Sequence, residues 1–381
     1  MKLLYALYAT YSTGFNLVWR ILPAFLAAFF GAFEISLIFA AFFAARIFMI
    51  PIALTADKLG TIRTVRLSFS FMILLILGLL FLFGVKSLSG WIIFALIAGV
   101  LVNLLEIAAN TLAASVKKKT KALFGLESMY QIGVVIGPIV GGLLTLHFGI
   151  EAALFTWAAL NIIGILVTPR VAVSIEKRKR LAGGLISAIK ERKFAFFMML
   201  VFGLFFVGFL QAMQEITLPL FATTVGFDIA NVGIIIGLAS IITIAALLTI
   251  GKRIDKHSPF SMLFIFYILM LIFPLLVPVF YDFISLIIIG GVFLTGRAAN
   301  LNISRSFFSE FSDKYKATAI GIGETVYYLS RSVGSAFTGY LVQGFGYGFA
   351  FDAMVFISGI ALLGSSIVLI IYSRKSKYQK I

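Results

Sequence analysis

Eight ionisable side chains stand inside long apolar runs of this sequence: Arg20, Arg46, Arg297 and Arg331, and Glu106, Glu127, Glu215 and Glu324. Each costs about 2.5–3.5 kcal/mol at mid-membrane, so residues of this kind mark function. Their formal charges cancel, which favours pairing. A buried glutamate can carry a proton, and an arginine can clamp a carboxylate through paired N–H donors. Polar residues recur around them at helical spacing. Asn16 and Arg20 are i, i+4, and so are Gln211 and Glu215. Asn103, Glu106 and Asn110 are i, i+3, i+7, a spacing repeated by Arg297, Asn300 and Ser304 and by Glu324, Tyr327 and Arg331. These faces are expected to meet in a polar cavity near the membrane midplane, which would be the path of substrate and protons. Glu106 or Glu215 is the expected proton carrier, and a static ion pair is the alternative for each.

The runs that hold these residues are themselves diagnostic. The chain has 381 residues, of which 61% are hydrophobic and only 12% charged, and its mean hydropathy is +1.10. A soluble domain is nearer half apolar and a quarter charged, and a disordered chain has low hydrophobicity, so both classes are excluded. Cysteine is absent and there are two histidines. That removes disulfides and thiolate chemistry and leaves no basis for a metal site or a cofactor. No Walker A sequence or catalytic triad pattern stands out, and an enzyme is not expected.

A spanning helix needs about 20 mostly apolar residues. Twelve runs qualify: 3–31, 35–56, 65–85, 90–115, 122–147, 151–170, 195–223, 229–250, 259–281, 283–304, 318–343 and 349–372. An all-α membrane protein of twelve transmembrane helices follows. The first run is too long, and too soon followed by another, for a cleaved signal peptide. Strands of a β-barrel would alternate over about ten residues, which these runs do not. Of the 31 Lys and Arg, the four arginines above lie within runs and Lys86 lies in an opposite loop. Every other one falls in the alternate set of loops and at the termini, Arg305 among them. The positive-inside rule then predicts a multi-pass cell-membrane protein with both termini cytoplasmic. The net charge of +16 is therefore read as contact with lipid headgroups, not nucleic acid. The basic run Lys177–Arg180 belongs to this pattern, and 181–193 is expected to form an interfacial helix.

The longest loop, 171–194, divides the runs six and six, giving an N-terminal bundle at 1–170 and a C-terminal bundle at 195–381. A repeat supports the division. An offset of 197 pairs Glu127 with Glu324, Tyr130 with Tyr327, Gly137 with Gly334, Gly142 with Gly339 and Gly149 with Gly346. The same offset pairs Asn103 with Asn300. Rare residues matching in register point to duplication, hence to two pseudo-symmetric six-helix bundles.

Twelve spans, a six-plus-six repeat and a basic central loop resemble the major facilitator superfamily. The second loop, "ALTADKLGTIR", resembles that family's motif A through Asp57, Lys58 and Gly60, with Ala53, Thr61 and Ile62 departing from it. The corresponding loop of the second half, "GKRIDKHS", keeps Gly251, Asp255 and Lys256. Run five, "GVVIGPIVGG", is similar to motif C through Gly133, Gly137, Pro138, Gly141 and Gly142. In the family, motif A latches the outward-open state and motif C marks mainly proton-coupled exporters. Spans three, six, nine and twelve are lipid-facing supports, while one, four, seven and ten line the cavity. Physically, Gly133, Gly137 and Gly141 form one small-residue face that admits a close neighbour. Pro138 removes a backbone donor and is expected to bend the helix. This face is expected where the two halves meet and rock, opposite the face of Ser330, Gly334 and Thr338.

The resemblance implies a monomeric secondary transporter working by alternating access, with a small-molecule substrate, protons and the lipid bilayer as partners. Proton-coupled export of amphiphilic or drug-like compounds is the first expectation. An organic anion or metabolite transporter using Arg20, Arg297 and Arg331 is the alternative, and a non-transporting membrane receptor is the third.

Overall fold

The computed structural model describes residues 2–48, 61–85, 87–114, 119–168, 193–250, 259–309 and 316–378. The motif A-like residues Asp57, Lys58, Gly60, Gly251, Asp255 and Lys256, and the central loop up to residue 192, lie outside the described residues. The side chain of Asn110 does too.

All regular structure among the described residues is helical. The elements are α1 (Lys2–Trp19), α2 (Leu22–Leu26), α3 (Ala32–Ala45), α4 (Thr61–Val85), α5 (Leu88–Ala114), α6 (Lys119–Phe148) and α7 (Ile150–Val167). They continue with α8 (Lys193–Met198), α9 (Phe206–Thr224), α10 (Ile229–Ile250), α11 (Pro259–Leu276), α12 (Phe283–Ser309) and α13 (Lys316–Tyr378). Eight helical stretches among the described residues are long and apolar enough to cross a membrane. One of them, Gly321–Ile371, runs through both of the last two apolar runs.

Two departures from the expected runs, and one kink between runs, have local causes. The run at 3–31 is not one helix. Pro23 sits in the first turn of α2 and has no N–H to give the carbonyl of Trp19, so the ladder of α1 stops there. The run at 195–223 passes through a π-helical segment, Met199–Phe205, between α8 and α9. There the carbonyl of Phe202 accepts the hydroxyl of Tyr267 and that of Gly203 accepts the hydroxyl of Ser304. Side chains inserted into a ladder open it in this way. Runs eleven and twelve, numbered together here as α13, are two helices that meet at a sharp kink at Gly346, where φ is 84° and ψ 175° and the backbone is not helical. Gly149, between α6 and α7, has φ 82° and ψ 165°. These two glycines are the offset-197 pair, and both adopt a backbone that an L side chain rarely takes.

The packing is reciprocal. Helix α1 lies against α6 and α7, α3 against α5 and α13, and α4 against α5 and α7. Helix α9 lies against α13, α10 against α6 and α12, and α11 against α12 and α13. Buried Phe, Tyr, Trp and Leu side chains make one continuous core through all of these elements. Large apolar side chains point outward from α4, α7, α11 and the second half of α13, among them Phe81, Leu166, Ile265 and Phe356. Such a belt is satisfied by lipid and not by water.

We call proximal the end where α1 begins and distal the end where it stops. Contacts at the distal end are close. Gly142 faces the backbone of Ile229 and Ala230 at 2.8–3.0 Å from where a Cβ would sit, and Gly339 faces Ser36 and the carbonyl of Ala32. The Ser332 hydroxyl donates to the carbonyl of Ala40 at 2.9 Å, and Gln343 Oε1 accepts the N–H of Phe33 at 2.8 Å.

Candidate functional site

At the centre, Glu215 of α9 is held from three directions. Arg20, just past the end of α1, donates Nη1 to its Oε1 at 2.6 Å. Gln211, one turn earlier on α9, donates to the same oxygen at 2.7 Å. Arg331 of α13 pairs with its Oε2. Helix α1 orients Arg20 through a relay of its own. Arg20 Nε donates to Asn16 Oδ1 at 3.3 Å, Asn16 donates to the carbonyl of Ser12 at 2.7 Å, and the Ser12 hydroxyl donates to the carbonyl of Tyr130 at 2.7 Å. The Tyr327 hydroxyl donates to Gln211 Oε1, which also accepts Arg297 Nη1 at 3.5 Å.

A second pair joins α3 to α5. Arg46 binds Glu106 and donates Nε to Asn103 Oδ1 at 2.8 Å. Its guanidinium lies over the Tyr328 ring at 3.9 Å, while Arg331 lies over the Phe43 ring at 3.8 Å. Helices α3 and α13 thus exchange a cation for an aromatic face in each direction, a contact that strengthens when desolvated.

Nearer the proximal end, Arg305 of α12 bridges two helices. Its Nε donates to Glu324 Oε1 at 2.6 Å and its Nη1 reaches Glu127 Oε2 at 3.4 Å. Glu127 also accepts from Gln131 at 3.0 Å. The two glutamates paired by the offset of 197 therefore share one guanidinium.

These groups surround a central cavity of about 710 Å³ of non-atom space, its mouth included. Arg20, Arg46, Glu106, Glu127, Gln211, Glu215, Arg297, Arg305, Tyr327 and Arg331 line it, with aromatic walls from Tyr8, Phe15, Trp19, Phe42, Phe43, Tyr130 and Tyr328. At the mouth the Arg305 and Glu127 side chains are 30% and 24% exposed. A second, smaller hollow lies on the distal side, and Trp19, Arg20, Glu215 and Arg297 border both. Arg297 is 6% exposed. Among the described residues it makes no ion pair, and its Nε has no hydrogen-bond partner. Every cavity carboxylate, by contrast, is bound to an arginine.

The structure thus gathers Arg20, Glu106, Glu127, Gln211, Glu215, Arg297, Tyr327 and Arg331 in one cavity. Asn16 and Asn103 are fully buried behind it and orient Arg20 and Arg46. Glu324 reaches it through Arg305. Asn300 does not face it: its amide is directed at the Met270 sulfur at 3.7 Å, and Ser304 bonds the Gly203 carbonyl at 2.9 Å. The cavity face of α12 is Arg297, Leu301 and Arg305, at i, i+4, i+8, and not Arg297, Asn300 and Ser304. That spacing was the available signal for Arg305, which its place among the loop charges concealed.

The motif C-like face needs a similar correction. Gly133, Gly137 and Gly141 do not meet the other half of the chain; they seat α1. A Cβ on Gly137 would stand 2.7 Å from the Asn16 Cβ, one on Gly133 would meet Ser12, and one on Gly141 would overlap the Leu17 carbonyl. The contact with α10 uses the neighbouring face of α6. There Pro138 lies against Gly233, Ile139 and Val135 against Gly237, and Gly142 against Ala230. Residues one position on are turned by about 100°, enough to exchange one neighbour for another. Gly334 likewise seats α9, where a Cβ would stand 2.8 Å from the Phe209 carbonyl oxygen.

The profile of the Major Facilitator Superfamily matches residues 4–310 and 200–380. No curated protein matches the sequence. Among solved structures, a mutant of the nucleoside transporter NupG is similar at TM-score 0.77 and 16% identity, over 96% of this chain and 98% of that one. A further NupG structure gives 0.74 at 15% identity, over 97% and 98%. The human organic anion transporter MFSD10 (TETRAN) gives 0.67 at 15% identity, over 96% and 98%. At these identities the likeness is one of fold.

Proposed function

The chain belongs to the major facilitator superfamily, an integral-membrane transporter family, and from that premise we propose that it carries a small organic anion by alternating access. The observation that carries this reading is Arg297: a buried guanidinium lining the cavity that makes no ion pair among the described residues and shares the nearby Glu215 carboxylate with Arg20 and Arg331, three cations to one anion. An uncompensated buried charge is costly, and a substrate anion removes that cost on binding. Arg20 and Arg331 stand beside it, and the fork of donors on an arginine suits a carboxylate.

The transport cycle proposed here uses two six-helix halves. Its support is the reciprocal packing, in which α1 on α6 mirrors α9 on α13, and α3 on α13 mirrors α10 on α6. The like backbone of Gly149 and Gly346 supports it further. The twelve-span count and cytoplasmic termini rest on the apolar runs and the loop charges. With that orientation, the close distal contacts and the partly exposed groups at the proximal mouth correspond to a state closed outside and open inside.

Proton-coupled export of amphiphilic compounds is the second reading. The motif C-like sequence and the aromatic walls favour it. The cavity chemistry favours a simple lipophilic cation less: every cavity carboxylate among the described residues is already paired with an arginine, and only the Glu127 and Glu324 level carries a negative surplus.

Purified protein in proteoliposomes tests the choice. Carboxylates, nucleosides and lipophilic cations are offered while uptake and lumenal pH are followed. The anion reading expects carboxylate flux that falls about tenfold to a hundredfold in Arg297→Gln, from loss of one charged hydrogen-bond donor set. Flux of lipophilic cations with proton release, unchanged in that variant, would establish the second reading instead.

A further inference from the structure

We infer that the cavity is built for a dipolar substrate, with its acidic group at Arg297 and a cationic group, such as an ammonium, at Glu127 and Glu324. This rests on the anion reading above and adds a second, opposite pole to it.

The charges in the cavity are not evenly mixed. Around Arg297 stand Arg20, Arg331 and the carboxylate of Glu215, three cations to one anion. Around Arg305 stand Glu127 and Glu324, two anions to one cation. Arg46 and Glu106 balance each other. Among the described cavity residues the distal level is therefore positive and the proximal level negative. Arg297 and Arg305 are eight residues apart on one face of α12, which sets the two levels about 12 Å apart along the axis.

Each pole also carries an open valence of the matching kind. Arg297 Nε is a buried donor with no partner among the described residues. Glu324 is 5% exposed; it stands behind the Arg305 guanidinium that lines the cavity, and its Oε2 is a buried acceptor with no partner among the described residues. A simple anion neutralises the distal pole and leaves the proximal excess. A ligand with a carboxylate at one end and an ammonium at the other answers both, and Leu301 and the aromatic walls between the poles suit an apolar middle.

The test measures binding to the purified full chain by thermal shift. The probes are ω-amino carboxylates of graded length, length-matched monocarboxylates and length-matched alkylamines. At the best length, the ω-amino carboxylate should bind about tenfold tighter than its monocarboxylate, the gain expected of one charged hydrogen bond. Glu324→Gln should bring that ratio near one while leaving monocarboxylate binding in place. Glu127→Gln, milder because its bond to Arg305 is the long one at 3.4 Å, should reduce the ratio in the same direction. Arg305→Gln, which deepens the negative pole, should raise it. A ratio near one in the unaltered protein, or one unmoved by both glutamate variants, overturns this inference and leaves the anion reading standing. So does a carboxylate affinity strengthened by sodium ions or protons but not by the ligand's ammonium. Carboxylate binding that survives Arg297→Gln unchanged, or binding of alkylamines alone, overturns the anion reading itself.

Discussion

Replacing Glu215 by glutamine should move stability and anion affinity in opposite directions. The carboxylate accepts from Arg20 at 2.6 Å and from Gln211 at 2.7 Å, and it pairs with Arg331. Its own side chain is 6% exposed, and those of the two arginines 12% and 8%. A glutamine there would keep one acceptor oxygen but turn an amide donor toward a guanidinium donor, leaving three arginines with no anion at that level. Breaking a buried pair by removing one partner costs about 3–5 kcal/mol. The exposed fraction of Arg20 places this case near the lower end, about 3 kcal/mol. The same change frees the arginine pair for a ligand, because Glu215 now occupies the donors that an external carboxylate would use. The variant should therefore melt well below the unaltered protein when empty and recover disproportionately when a binding carboxylate is added. Melting curves in detergent, with and without ligand, give both quantities. Glu215→Gln combined with Arg331→Gln supplies the coupling energy. A variant as stable as the parent, or one that loses stability and anion affinity together, would refute the idea that Glu215 stands in for the substrate's acid group.

Other substitutions probe the frame. Gly141→Ala puts a methyl group onto the Leu17 carbonyl; overpacking at about 1–3 kcal/mol outweighs a helix-propensity gain of about 1 kcal/mol, so the melting temperature falls. Gly78→Ala in α4 meets nothing within 4 Å and should raise it slightly, and like behaviour of the two would refute the seating of α1 on α6. Arg46→Lys keeps the charge but loses the Nε bond to Asn103 and the planar stack on Tyr328, so it should destabilise by about 1–2 kcal/mol in the same melts. Asp282, in the exposed turn before α12, accepts from the Ser285 hydroxyl and from the N–H groups of Ser285 and Ile284. Those bonds, that of the Ser285 side chain foremost, hold its carboxyl below the usual range. A lowered value in the folded state gives stability above the unfolded pKa of about 3.9, lost as pH falls through the lower folded value. Asp282→Ala should thus melt lower at pH 7, and the gap should close in acid; a gap constant with pH would contradict the role of the charge.

Much of this architecture is legible along the chain. Apolar run length, the charge-poor composition and the offset of 197 are properties of near neighbours or of register, and they require helices in lipid. Boundaries were less legible where one side chain intervenes, as with Pro23 or the hydroxyls of Tyr267 and Ser304 at the π segment. Faces were legible only to within a helical position. Asn300 and Arg297 share a spacing that reads as one polar face, yet the rotation of α12 turns Asn300 to Met270 and brings Arg305 to the cavity.

The sequence by itself determined that eight charges lie within apolar helices and that their cost must be met by partners. Tertiary structure alone decided the partners. Arg20 meets Glu215 across 195 positions, Arg331 meets it across 116, and Arg46 meets Glu106 across 60. It also decided that Arg305 is shared by Glu127 and Glu324 and that Arg297 makes no ion pair among the described residues. Ion pairing falls off within a few ångströms in space, whereas periodicity records only direction about each helix's own axis. Two side chains can each face the centre and still miss one another, until the packing of small residues such as Gly141 on Leu17 fixes how deep and how rotated each helix sits.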